Sequence, residues 1–167
     1  MKQSIYHWLF VLGLCLSDPI EAQESGEAPI ADAQSWVYRR VGDTELRLWV
    51  FTPDAVGESE TRPAAIFFFG GGWVGGSPTQ FEPQARYLAS RGMIGVVADY
   101  RVRSRHQTTP FDALDDCRAA IRWLRRNAPA LGIDPNRIAA GGGSAGGHLA
   151  AATGILPQPE GEDLSSK

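Results

Sequence analysis

Of 167 residues only two are cysteine and three are histidine, and the charges nearly cancel, 16 basic against 19 acidic for a formal net charge of −3. Each shortage excludes something. One cysteine, Cys15, lies in an N-terminal stretch that reads as removable, which leaves Cys117 alone and no intrachain disulfide. A near-neutral chain without a basic stripe gives no reason to expect a nucleic-acid partner. No apolar run reaches the roughly 20 residues that a helix needs to cross a bilayer, so stable membrane insertion is not expected. Nothing in the pattern requires a metal or a cofactor, and nothing sets an oligomeric state.

The longest apolar stretch, Trp8 to Leu16, follows Lys2 and gives way to polar residues, with Ala22 at a small-residue cleavage position. This is the pattern of a signal peptide over residues 1–22, and it predicts export to the periplasm or the exterior. Leu14 is bulky where a lipoprotein signal at Cys15 would need a small residue. Residues 23–34 form a polar lead-in, 35–156 a partial domain and 157–167 a polar tail. The 145 residues left after Ala22 (167 minus 22) suffice for one modest core.

Within the domain, strands are expected at Trp36–Val41 and Glu45–Thr52, joined by a turn at Gly42-Asp43. A continuous apolar run, Pro63 to Phe69, suits a parallel strand covered on both faces, and it leads directly into Gly70-Gly71-Gly72-Trp73-Val74-Gly75-Gly76. Thr79 with Glu82 predicts a capping box for a helix ending at Arg91, and Met93–Ala98 another buried strand. After a loop from Asp99 to Thr108, Thr109 caps a second helix with Leu114, Cys117, Ile121 and Leu124 on one face. Alternating strands and helices imply a mainly parallel sheet with helices on both faces.

The rest of the chain is organised around Arg137 to Ala151. Ile138-Ala139-Ala140 reads as a short buried strand, Gly141 to Gly143 as a sharp turn, and Ser144 onward as a helix. Gly142-Gly143-Ser144-Ala145-Gly146 is a G-x-S-x-G. A serine at the tip of such a turn is held in a strained conformation, and the glycines two before and two after let neighbouring chain pass. The following amide, of Ala145, would face a developing oxyanion near the positive end of the helix.

Taken together, FFFGGGW, ADYR, DALDDCRAAIRWLRRNA and LGIDPNRIAAGGGSAGGHLAA resemble, in order and spacing, the N-terminal half of an α/β-hydrolase of the hormone-sensitive-lipase-like carboxylesterase group (α/β-hydrolase fold-3 or BD-FAE-like). The resemblance implies a serine hydrolase acting on small-molecule carboxylic esters, with Ser144 as nucleophile. It also implies that the loop after the third strand supplies backbone amides to the oxyanion hole, so that Gly71 and Gly72 would join Ala145 as donors. Phe69 stands where that family carries a histidine that helps to anchor the loop.

In this fold the nucleophile is followed by strands carrying an Asp or Glu and then a His, whereas here 23 residues follow Ser144 and end in PQPEGEDLSSK. The chain therefore reads as the fold truncated after the nucleophile helix, a weak or inactive esterase by itself with an open sheet edge at the strand before Ser144. His148 lies on the same helix as Ser144 and reads as a packing residue, His106 as a loop-positioning residue, and Asp115 and Asp116 as solvated or structural. Trp73 and Tyr100 read either as pocket lining or as packing. Two other functions fit less well: a noncatalytic exported binding module, and dinucleotide binding through Gly70-x-Gly72-x-x-Gly75 or Gly141-x-Gly143-x-x-Gly146, neither followed at the proper distance by a ribose-binding acid.

Overall fold

The computed structural model describes residues 30–54 and 61–157; the expected signal peptide and residues 158–167 of the tail lie outside the described residues. Five strands form one mixed sheet in the order β1-β2-β4-β3-β5. Strands β1 (Gln34–Val41) and β2 (Thr44–Phe51) make an antiparallel hairpin, with Gly42 at φ +56° in its two-residue turn. The central strands β3 (Arg62–Phe68) and β4 (Ile94–Ala98) run parallel, as do β3 and β5 (Ile133–Gly142). The pairing of β5 with β3 breaks after Ile133 and resumes at Ile138, so Asp134–Arg137 lie outside the regular ladder.

Helices cover both faces, because the apolar residues of the central strands leave neither face polar. On one side Leu46, Leu48, Val50, Ile66, Phe68 and Val96 pack against α3 (Pro110–Arg126) and α4 (Ala145–Ile155). On the other, Trp49, Phe51 and Val97 meet Ala85 and Ala89 of α1 (Glu82–Ser90), and Ile30 joins that cluster. The residues expected on the inner face of α3 are all buried, and its start is a full capping box: the Asp112 amide donates to Thr109 Oγ1, and the Thr109 amide donates to Asp112 Oδ2 at 2.8 Å.

Two expectations about the helical segments fail. No Thr79–Glu82 box forms; Ser77 caps a 3-10 turn at Pro78–Phe81, Phe81 precedes α1 without a side-chain cap, and Glu82 pairs with Arg86 at 2.8 Å. Pro78 and Pro83 each open their own short element, which divides one expected helix into two. The segment after Asp99 is also not a plain loop, since it holds a helical turn, α2 (Arg103–His106).

Strand β5 stands at one edge of the sheet among the described residues, and Arg137, Ala139 and Ala140 are exposed there, so the Ile138–Ala140 segment expected to be buried is instead largely open, with only β3 beside it. Its neighbour β3 is almost entirely covered. The sheet therefore delivers two adjacent strand ends, of β3 and β5, to the same end of the molecule, each followed by a glycine-rich turn.

Candidate active site

The turn after β5 places Ser144 at φ +49°, ψ −118°, a region that non-glycine residues rarely occupy. Its neighbours explain how this strain is held. A Cβ on Gly142 would collide with Phe68 O and Gly146, and one on Gly146 with Phe68 O and Phe69 O. The glycines two before and two after Ser144 are thus required by the end of β3, against which the turn is pressed. Ser144 is exposed, and α4 starts at the next residue, so the Ala145 amide is the first of the helix.

The second turn runs from Phe69 to Gly76. Gly71 and Gly72 take φ values of +139° and +61°, and Trp73 follows at +60°. Val74 N donates to Gly71 O at 3.0 Å, and the amides of Arg103 and Ser104 donate to Trp73 O and Val74 O, which ties the loop to α2. At its root a Cβ on Gly70 would lie 2.9 Å from Gly143 O, so this loop abuts the serine turn. The Trp73 ring also meets His148 of α4 edge-on, with centroids 5.6 Å apart. Among the described residues, no carbonyl accepts from the amides of Gly71, Gly72 or Ala145. Three free donors thus sit on two turns in contact with each other.

The remaining polar residues are engaged elsewhere. His106 Nδ1 accepts the Val102 amide at 3.1 Å; burial, then the adjacent Arg105 charge, holds its imidazole below the ordinary value. Neither His106 nor His148 hydrogen-bonds Ser144 Oγ among the described residues. Asp115 is solvated, whereas Asp116 is fully buried and receives Arg39 at 2.7 Å and Arg101 at 2.8 Å. Burial lifts the Asp116 carboxyl above its usual range, and the hydrogen bonds and charge of Arg101 oppose that shift. Asp99 lies under Arg105, with contacts of 2.7 and 3.0 Å.

Tyr100 is fully buried and Trp73 only half-buried, so of these two Tyr100 belongs to the core. The Phe69 ring stacks on Tyr100 at 4.0 Å, and Tyr100 Oη donates to Phe69 O at 2.6 Å. Gln80 Oε1 accepts the Gly70 amide at 2.5 Å. No sequence motif marks Gln80, since it belongs to a polar 3-10 turn ten residues further on. The tyrosine of ADYR carried a signal, its position directly after a buried strand, but not the identity of its partner.

Comparison with known proteins agrees with this geometry. The BD-FAE family model matches residues 50–164. The chain is 37% identical over 122 residues to Carboxylesterase NlhH of Mycobacterium tuberculosis, covering 72% of this chain and 37% of that protein. It is 41% identical over 116 residues to Esterase LipC of the same species, covering 63% of this chain and 28% of that one. Among solved structures, a thermophilic esterase of Thermogutta terrifontis superposes with a TM-score of 0.76 at 47% identity, over 80% of this chain and 48% of that one. The same esterase phosphorylated by paraoxon gives 0.77 at 46%, over 81% and 53%. The chain thus spans about half the length of these solved esterases, and less of the curated relatives. With the family model matched over most of the chain and the fold shared with solved esterases, the chain belongs to the BD-FAE family of α/β-hydrolase carboxylesterases.

Proposed function

We propose that the chain carries the nucleophile half of a serine carboxylesterase. Ser144 Oγ attacks the carbonyl carbon of a small ester, and the negative charge that develops on the carbonyl oxygen is taken by the amides of Gly71, Gly72 and Ala145. Collapse of the tetrahedral intermediate expels the alcohol and leaves an acyl-serine, which water hydrolyses. The observation that supports this most is the backbone of Ser144: a non-glycine residue at φ +49°, held there by flanking glycines, is strain of the kind that functional sites retain. Three unengaged amides on abutting turns supply the complementary charge.

A serine hydroxyl is a weak nucleophile near neutral pH unless a base accepts its proton. Both described histidines are turned to other partners, His106 to the Val102 amide and His148 to the Trp73 ring. In this reading the acid and base of the triad come from outside residues 30–157, and the described domain by itself turns esters over slowly. The N-terminal pattern adds the proposal that the protein is exported.

The test is hydrolysis of p-nitrophenyl acetate by the 167-residue chain, by any longer product of its gene, and by Ser144→Ala versions of both. Turnover confined to the longer form and lost with Ser144→Ala is the expected result. Ser144-dependent turnover by the short chain would place a base within it, and His106 would be the first residue to replace. Turnover that survives Ser144→Ala in either form would remove Ser144 as the nucleophile, and absence of turnover from both forms would favour a noncatalytic binding module.

A further inference from the structure

The glycine loop is expected to be anchored by a histidine at position 69, yet Phe69 has no polar atom beyond its backbone. Its ring is fully buried on Tyr100. What holds the loop instead is a pair of side chains that grip one peptide unit from its two ends. The Phe69 carbonyl accepts from Tyr100 Oη at 2.6 Å, and the amide of the same peptide group, on Gly70, donates to Gln80 Oε1 at 2.5 Å. A peptide group is planar, so fixing both its C=O and its N–H fixes the orientation of the whole plane. That plane is the last one before the Gly71 amide.

We propose that Tyr100 and Gln80 are positioning residues of the oxyanion hole. By holding the Phe69–Gly70 peptide they set the direction in which the Gly71 and Gly72 amides point. Three further observations converge on this. Gly71 and Gly72 take positive φ values that side chains rarely adopt, and they follow the gripped peptide directly, so its orientation carries into the direction of their amides. Gly70 lies against Gly143, so a rotation of its peptide would also disturb the approach of the loop to the serine turn. The Tyr100 hydroxyl is pushed above its ordinary value, by burial first and then by the neighbouring Cys117 and Asp99, which keeps it protonated and able to donate.

The inference rests on the assignment of Gly71, Gly72 and Ala145 as oxyanion donors, and the experiment separates the two. Tyr100→Phe keeps the stacked ring and removes only the hydroxyl. Gln80→Leu removes the acceptor, and Gln80→Glu restores one. Each variant is made in the full-length protein. Amide exchange of segment 70–76, measured by mass spectrometry without substrate, should quicken about fivefold or more in Tyr100→Phe and Gln80→Leu, with exchange in α3 unchanged. Removing an oxyanion donor outright costs about a hundredfold or more in kcat, so misdirecting two of them should cost roughly tenfold, with KM within about twofold. Gln80→Glu should recover both readouts.

Unchanged exchange in segment 70–76 overturns the clamp whatever the chemistry. Faster exchange with kcat unchanged, or with KM raised instead, shows that the clamp is real but does not serve catalysis, which overturns the positioning role. Turnover that survives Ser144→Ala removes the nucleophile reading, and the exchange result still decides the clamp.

Discussion

Two glycine-rich turns leave neighbouring strands at the same end of the sheet, and they are held in opposite ways. The serine turn is held by backbone against backbone: Gly142 and Gly146 approach the last carbonyls of β3 so closely that no side chain fits. The Phe69–Gly76 turn is held by side chains from other elements, Tyr100 after β4 and Gln80 before α1, and through its own carbonyls by α2. A turn held by close backbone contact dictates the residues within it. The second turn also needs glycine, since a Cβ on Gly71 or Gly76 would collide with Gly75 O or Gly70 O, but its orientation depends on side chains outside it and on how well those are themselves supported.

For the second turn that support is ionic. Arg101, next to Tyr100, donates to Asp116 through its backbone amide at 3.0 Å and its guanidinium at 2.8 Å, and Arg39 of β1 meets the same carboxylate. Replacing Asp116 with Asn would leave two partly buried guanidinium groups facing a neutral amide. Breaking a buried pair from one side typically costs about 3 to 5 kcal/mol, the largest effect expected in this molecule. Thermal unfolding followed by circular dichroism measures it. A loss below about 1 kcal/mol would mean that solvent takes over the role of the carboxylate, and that side-chain support of the second turn is not structural.

The serine turn should break by steric means. Gly146→Ala places a methyl against Phe68 O and Phe69 O, both backbone atoms that cannot rotate away. Overpacking of this kind costs about 3 kcal/mol, or roughly 9 °C in melting temperature for a chain of this size. The control lies on the same helix: a Cβ at Gly154 meets nothing within 4 Å, so Gly154→Ala should stabilise by about 0.5 to 1 kcal/mol through helix propensity. Equal effects at the two sites would contradict the steric account.

The same contrast decides what sequence could reveal. The G-x-S-x-G of residues 142–146, the glycine run after the Pro63–Phe69 segment and the alternation of strand and helix could all be read directly, because each expresses a local constraint. The inner face of α3 was equally legible from its periodicity. The grip on the Phe69–Gly70 peptide was not, since Gln80 and Tyr100 approach it from opposite sides through tertiary contacts. Asp116 looked like any helical carboxylate beside Asp115, and only the pairing of β1 and the end of β4 with α3 shows why one is buried and the other solvated. The Thr79–Glu82 box misled because two prolines within six residues outweigh a favourable capping pattern.

Strain sharpens the comparison further. If the serine turn forces Ser144 into its unusual conformation, glycine should be favoured there on backbone grounds alone. Ser144→Gly should then be more stable than Ser144→Ala by about 1 kcal/mol, the relief of strain exceeding the extra chain entropy of glycine. Equal melting temperatures would indicate that the turn is relaxed with serine in place. The measurement needs no turnover, so it tests the geometry independently of the chemistry.

The smallest effect concerns α2, which carries the carbonyl contacts of the second turn. His106 Nδ1 accepts the Val102 amide at the start of that helical turn, and it can do so only while unprotonated. Burial, followed by the Arg105 charge, lowers the folded-state pKa of His106 below its unfolded value. The unfolded chain therefore binds more protons in the window between the two. The stability that His106 contributes is fully present above about pH 6.5 and is lost as pH falls from there through the folded value. His106→Asn offers a carbonyl oxygen in nearly the same place and does not titrate. Between pH 7.5 and 5.5 the parent chain should lose more stability than His106→Asn, by at most about 1 kcal/mol, the usual worth of one hydrogen bond. If the two lose the same amount, α2 is held by its carbonyl contacts with Trp73 and Val74 alone, and the second turn supports the helix rather than the reverse.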